Sequence, residues 1–387
     1  MTDPSRRSGA PSGYFAGFVV LGLMLNVIGP SLTHLLAQVH VNLATISAVF
    51  VTQALGYLVG SVASGRAYDR GGGHRVFSGA LGMCSVALVL ASLSSSLVAT
   101  LVLFGLIGVA AGCVDVGGNT LLVWSTDGPA TSRLNVLHLC FGLGAVACPT
   151  IIDWSLFATG RLVLGYGICA AASAAVGAWL WSRPSPDHPR SGTEDVRETS
   201  RPVLGVISCF FLLYVGVELG FAGWVHAYAE AIHLGGRSSA ALLTTTFWLA
   251  FIAGRSLASV FAHRASTGAL LLVSTIGTVV AAAALVLADA APLGVWLATA
   301  LFGLALAPQF PTMIAHAGRS LTITGSATSW FIGAAAIGGL TAPWIIGQLF
   351  ESVGAVAMPR IMLVGDSATL GWFGVVTWVL RRRSVLR

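Results

Sequence analysis

Long apolar runs alternate with short polar breaks along almost the whole chain, and this alternation predicts the elements before any motif is read. A run of about 20 apolar residues wound as a helix crosses roughly 30 Å of hydrocarbon. The first run extends from Tyr14 to about Gln38, too long for a signal-peptide core and with no clear small-residue cleavage site after it. Others follow near 43–65, 76–95, 98–124, 133–157 and 161–182. After one polar stretch come 203–229, 238–262, 267–288, 292–316, 321–349 and 358–380. Twelve spans predict an all-α membrane protein with two six-helix bundles, residues 14–182 and 203–380. Residues 1–13 and 381–387 are then tails. The segment 183–202, rich in Pro, Ser and mixed charge, reads as a flexible cytoplasmic linker.

Composition excludes several classes of function. Of 387 residues 56% are hydrophobic and 9% charged, against about 25% charged in an ordinary soluble domain. All 20 basic residues are Arg, so the chain has neither a P-loop lysine nor a Schiff-base lysine. The net charge of +6 is scattered between spans rather than gathered on one face, which argues against a nucleic-acid partner. With the N-terminus in the cytoplasm, only Arg161, Arg237 and Arg360 fall in outer segments, and the other Arg residues are inside. That bias predicts a multi-pass protein of the cell membrane with both ends cytoplasmic. Six cysteines lie within apolar segments without a CxxC pair, no metal-ligand spacing occurs, and no nucleophile–base pair suggests an enzyme.

Displacing the sequence against itself by 194 residues, about half its length, brings its halves into partial register. Cys148-Pro149-Thr150-Ile151-Ile152 meets Ala342-Pro343-Trp344-Ile345-Ile346, Gly144 meets Gly338, Gly60 meets Gly254, and Asp115 meets Gln309. Two parallel repeats predict a solute site near the bilayer midplane, with access alternating as the halves rock.

Between spans two and three runs Gly65-Arg66-Ala67-Tyr68-Asp69-Arg70-Gly71-Gly72-Gly73-His74-Arg75. The glycines permit a tight reversal, and Asp69 offers Arg a charge-assisted bond. The run resembles the G-x-x-x-D-R-x-G-R-R/K signature of the major facilitator superfamily, with His74 departing from the usual basic pair. The resemblance implies a cytoplasmic gate motif of Gly65, Asp69, Arg70, Gly71 and Arg75. In the second-half copy, Ser259 to Ala265, His263 stands where Asp69 does, so that latch looks degraded.

Polar groups inside spans are costly and mark functional candidates. Asp115 stands foremost, one turn before Asn119 among Gly112, Gly117 and Gly118. A carboxylate withdrawn from water is suited to carry a proton. Asn135 and His138 share a face of span five. Span seven carries Glu218, then Trp224 and Tyr228; carboxylate, indole and phenol suit a sugar, although the two aromatics also fit an interfacial belt. Gln309 sits between Pro308 and Pro311, where a doubly broken helix would line a cavity. Asn26 lies near mid-depth in span one, and Arg360 and Asp366 in span twelve could pair.

Several stretches are similar to the fucose permease and sodium-dependent glucose transporter branch of the superfamily. They are Gly29-Pro30-Ser31-Leu32, Asp115 with Asn119, Arg133-Leu134-Asn135 with Leu137-His138, Phe141-Gly142-Leu143-Gly144-Ala145, Tyr214-Val215-Gly216-Val217-Glu218 with Trp224, and Phe310-Pro311-Thr312. The resemblance implies that Asp115 is the acidic residue of span four tied to proton coupling and sugar binding. Fucose permeases carry a second acidic residue in span one, where this chain has Asn26.

The resulting expectation is a monomeric secondary transporter of a monosaccharide or similar polyol by proton-coupled symport, with no cofactor or metal. Asp115 and Glu218 would carry protons; Asn26, Asn119, Asn135, His138, Trp224, Tyr228 and Gln309 would bind substrate. The rival readings are an exporter of drugs or amphipathic metabolites by proton antiport, and a sodium-coupled or uncoupled sugar carrier.

Overall fold

Hydrocarbon offers no hydrogen bonds, so each backbone N–H and C=O must find its partner inside its own segment, and the apolar runs meet this demand as helices. The computed structural model describes residues 11–70, 72–126, 131–186, 201–236, 238–261, 264–318 and 325–385; for Asp69 and residues 131–132, 259, 261, 325–329 and 383–385 it describes the backbone alone. The gate-motif Gly71, most of the expected linker and both chain ends thus lie outside the described residues, as does His263 of the degraded latch. No strand occurs among the described residues. The helices group into two compact units, Met1–Gly192 and Thr193–Arg387.

In the first unit the helices are α1 (Pro11–Asn26), α2 (Ile28–Gln38), α3 (Leu43–Ile46), α4 (Ala48–Asp69), α5 (Gly73–Leu93), α6 (Leu97–Trp124), α7 (Thr131–Thr159) and α8 (Val163–Trp181). The first span, expected as one helix, bends by 45° between α1 and α2. Pro30 is the cause, because it lacks the N–H that the carbonyl of Asn26 would accept. The amide of Gln53 donates to the carbonyl of Met24 near this bend, 3.1 Å. Helices start where polar caps are available: Asn42 accepts from the backbone N–H of Thr45 and Ser96 from that of Ala99. Gly72, with φ of +73°, turns the chain from α4 into α5.

The second unit holds α9 (Arg201–Ala231), α10 (Ser239–Phe261), α11 (Thr267–Leu287), α12 (Pro292–Leu306), α13 (Gln309–Gly318), α14 (Gly325–Val353) and α15 (Ala357–Val385). Span ten breaks between α12 and α13, where Pro308 and Pro311 withhold two N–H groups. Counting the bent pair α1–α2 as one, twelve segments among the described residues are long and apolar enough to cross a membrane, six in each unit. The expected boundaries move by a few residues, since α15 continues to Val385 and α9 begins at Arg201.

The internal repeat reappears as packing. A Cβ added at Gly144 on α7 would strike the carbonyl oxygen of Val19 on α1, and one at Gly338 on α14 that of Leu212 on α9. Gly60 on α4 likewise meets the carbonyl of Val109 on α6, and Gly254 on α10 that of Leu304 on α12. The aligned glycines therefore serve the same crossings in both halves, where backbone approaches backbone. Within the first unit α4 lies along α6 and α1 along α7; within the second α9 lies along α14, and α10 and α11 both pack on α12.

Candidate functional site

Along the α4–α6 crossing, Gly108 and Gly112 let the backbone oxygens of Gln53 and Tyr57 approach closely. This brings the Tyr57 ring beside Asp115, and its phenol donates a hydrogen bond to Asp115 Oδ2. Asn119, one turn later, donates its amide to Asp115 Oδ1 at 3.0 Å and to the Asp115 carbonyl at 2.9 Å. His138 of α7 acts on the carboxylate electrostatically. The Phe18 ring of α1 meets the His138 ring edge-on at 5.5 Å. Asp115 and Asn119 are half-buried, while Asn135 and His138 are exposed. The carboxylate thus has two neutral donors and an imidazole near it, and the residue as a whole is half-buried. Such a group can exchange a proton or bind a hydroxyl without being stripped of every partner.

Four elements build this cluster, and the sequence reading found Asp115, Asn119 and His138 but missed Tyr57. The available signal was register: Gly56 and Gly60 flank Tyr57 at the spacing with which Gly108 and Gly112 precede Asp115. Asn26 donates its amide to the carbonyl of Gly22 at 2.8 Å beside the α1–α2 bend.

In the second unit Glu218 of α9 is half-buried, with the Tyr214 hydroxyl one turn earlier and Arg255 of α10 acting on its charge. Arg255, assigned from sequence to the inner surface, also sits over the Phe251 ring at 4.9 Å. The remaining candidates here are buried. Trp224 is fully buried, its indole donating to the carbonyl of Pro343 at 2.9 Å and its ring 5.1 Å from Phe350. Tyr228 is buried too, so neither aromatic forms an interfacial belt or an open stacking surface. Gln309 was expected to line a cavity; it has no exposed surface and turns its amide to α11, reaching the carbonyl of Ser274 and the hydroxyl of Thr278, both at 3.3 Å. Asp366 does not pair with Arg360: the carboxyl is buried beside Thr278, whereas Arg360 is exposed.

At the start of α5, His74 replaces the basic residue of the signature and is wholly buried. Its Nδ1 faces the carbonyl of Arg183 at 3.1 Å and must carry the hydrogen, leaving Nε2 to accept from the Tyr14 hydroxyl at 2.7 Å. Its backbone N–H donates to the Ser185 hydroxyl at 2.8 Å. Arg70 and Arg75 are exposed, and Gly65 has open space where a Cβ would stand. No group of three metal-ligating side chains occurs among the described residues.

Comparison with known proteins agrees with this architecture. The family described as Major Facilitator Superfamily matches residues 14–343. Sodium-dependent glucose transporter 1A of Mus musculus is 27% identical over 377 residues, spanning 87% of this chain and 88% of the mouse protein. Among solved structures, a point mutant of the nucleoside transporter NupG matches with a TM-score of 0.76 at 13% identity, over 96% of this chain and 98% of that one. A bacterial homolog to the human lysosomal transporter Spinster matches with a TM-score of 0.70 at 14% identity, over 99% of this chain and 98% of that one. At these identities the structural matches speak for the fold alone.

Proposed function

The chain belongs to the major facilitator superfamily, and on that premise we propose that it is a secondary carrier of a monosaccharide or similar polyol, driven by proton symport through Asp115. The observation that carries the reading is the Asp115 cluster: a half-buried carboxylate in a membrane span, bonded to Tyr57 and Asn119 and close to His138. Carboxylate and amide oxygens accept from sugar hydroxyls, and amide N–H groups donate to them. Protonation neutralises Asp115, so a loaded carrier closes without burying a bare charge. Glu218, with Arg255 nearby, is the second ionisable group of this reading. Asn135 and His138, exposed on α7, supply further contacts for the solute. The name of the mouse relative supports a sugar as the cargo.

That name also says "sodium-dependent", which favours a second reading in which sodium replaces the proton as coupling ion. The Arg distribution supports a cell-membrane carrier with both ends in the cytoplasm. Reconstituted protein tests the proposal: Asp115→Asn should abolish uphill sugar accumulation under a proton gradient and retain counterflow. Accumulation that survives the substitution removes Asp115 from coupling, and accumulation driven by sodium without a proton gradient selects the second reading.

A further inference from the structure

Asp366 lies nine residues into α15, about 14 Å along its axis from the outer end and so close to mid-membrane. It is 1% exposed, and its Oδ2 has no hydrogen-bond partner. The hydroxyl of Thr278 on α11 lies beside the carboxyl. Thr278 also receives the amide of Gln309, at the start of α13, so three helices converge on this hydroxyl.

The donors around Thr278 are already engaged. Gln309 uses its amide hydrogens on the Ser274 carbonyl and on Thr278 Oγ1, and its own Oε1 has no partner. The Thr278 hydroxyl donates to the Thr275 carbonyl at 3.0 Å. Ser274 and Thr275 both donate to the Leu271 carbonyl, and Thr369 to that of Gly365. Two buried acceptors therefore remain open, Asp366 Oδ2 and Gln309 Oε1. Turning the Thr278 hydroxyl toward Asp366 would supply one neutral donor, too little for a buried carboxylate.

No neighbouring charge makes up the deficit. α15 packs against α9, α11 and α14, and its Phe373 ring meets that of His316 on α13 at 6.1 Å, seven residues along from Asp366. Helix α11 contains no titratable residue. Glu218 on α9 and Glu351 on α14 are acidic and would oppose a second carboxylate, while Arg201, His226 and Glu230 lie toward the ends of α9. None of these groups, nor Arg360 on α15 itself, acts on the Asp366 carboxyl. A hard metal cation gathers about six oxygens, and the cluster leaves two. One hydrogen on the carboxyl removes its charge and can be donated to the free lone pair of Thr278 Oγ1, so that the oxygens left open are neutral carbonyls.

We propose that Asp366, Thr278 and Gln309 form a second proton-binding site, contained within the C-terminal unit and separate from Asp115, in which Asp366 is held as the neutral acid. The site joins α15 to α11 and to the broken tenth span through one shared hydroxyl. Its existence does not depend on what the carrier transports.

Infrared spectroscopy of the purified full-length protein at neutral pH tests it. The carbonyl stretch of a protonated carboxyl should be present in the wild type and in Asp115→Asn, and absent from the Asp366→Asn contribution. Asp366→Asn should keep the wild-type melting temperature, because its amide N–H can donate to the Thr278 Oγ1 lone pair that the acid used. Thr278→Val, which leaves the acid in place, should shift the same band by removing its acceptor. Absence of an Asp366-dependent band, or a band unmoved in Thr278→Val, overturns the proposal. So does stabilisation by sodium chloride over choline chloride that is present in the wild type and lost in Asp366→Asn, since it would make this a metal site.

Discussion

The phenol of Tyr57 donates to the carboxylate of Asp115 across the α4–α6 crossing, so the foremost ionisable group of the first unit is held by a partner on another helix. Tyr57→Phe keeps the ring and deletes the donor. A hydrogen bond to a charged group contributes about 1.5–3 kcal/mol, and its loss should weaken proton-coupled uptake by roughly tenfold or more. Uptake and counterflow measured side by side check this, with counterflow the less affected. Equal losses in both would mean that Tyr57 serves packing or solute binding and not coupling.

Gly144→Ala should lower the apparent melting temperature, because its Cβ would strike the Val19 carbonyl, a backbone atom that has little room to retreat. Overpacking of this kind costs about 1–3 kcal/mol. Gly79→Ala is the control: open space surrounds that position, and Ala in a helix interior is favoured by about 0.5–1 kcal/mol over Gly. Thermal unfolding of both variants in one detergent reads the difference, and equal behaviour would refute the close-contact account.

Trp224→Phe separates packing from recognition. The indole hydrogen bond to Pro343 would be lost at about 1 kcal/mol, so the variant should melt earlier while its KM for solute stays near the wild-type value. A several-fold rise in KM without a change in melting would return Trp224 to the substrate site.

How far the sequence could be read follows from the physics of each signal. Span count and the two-fold repeat were legible because hydrophobic length and glycine spacing are one-dimensional properties. The structure gives the aligned pairs Gly60/Gly254 and Gly144/Gly338 equivalent neighbours. The break of span ten was legible from Pro308 and Pro311, whereas the direction of Gln309 was not, since a polar side chain at a break can turn to a cavity or to an adjacent helix. Asp115 and Asn119 could be paired by helical spacing alone. Tyr57 could not, because its partner lies on another helix, 58 residues away. His74 looked like a defect in the gate motif; its burial between Tyr14 and Arg183 depends on contacts 60 and 109 residues distant.

The glycine crossings also limit how each bundle can deform. Where main chain rests on main chain, no side-chain rotamer can yield to let the helices draw closer. Along α4 and α6 such contacts recur at Gly56, Gly60, Gly108 and Gly112, and along α1 and α7 at Gly22 and Gly144. A row of contacts opposes tilting as well as approach, so each pair should travel as one stiff strut, and spin labels placed on its two helices at the same membrane face would keep a constant separation.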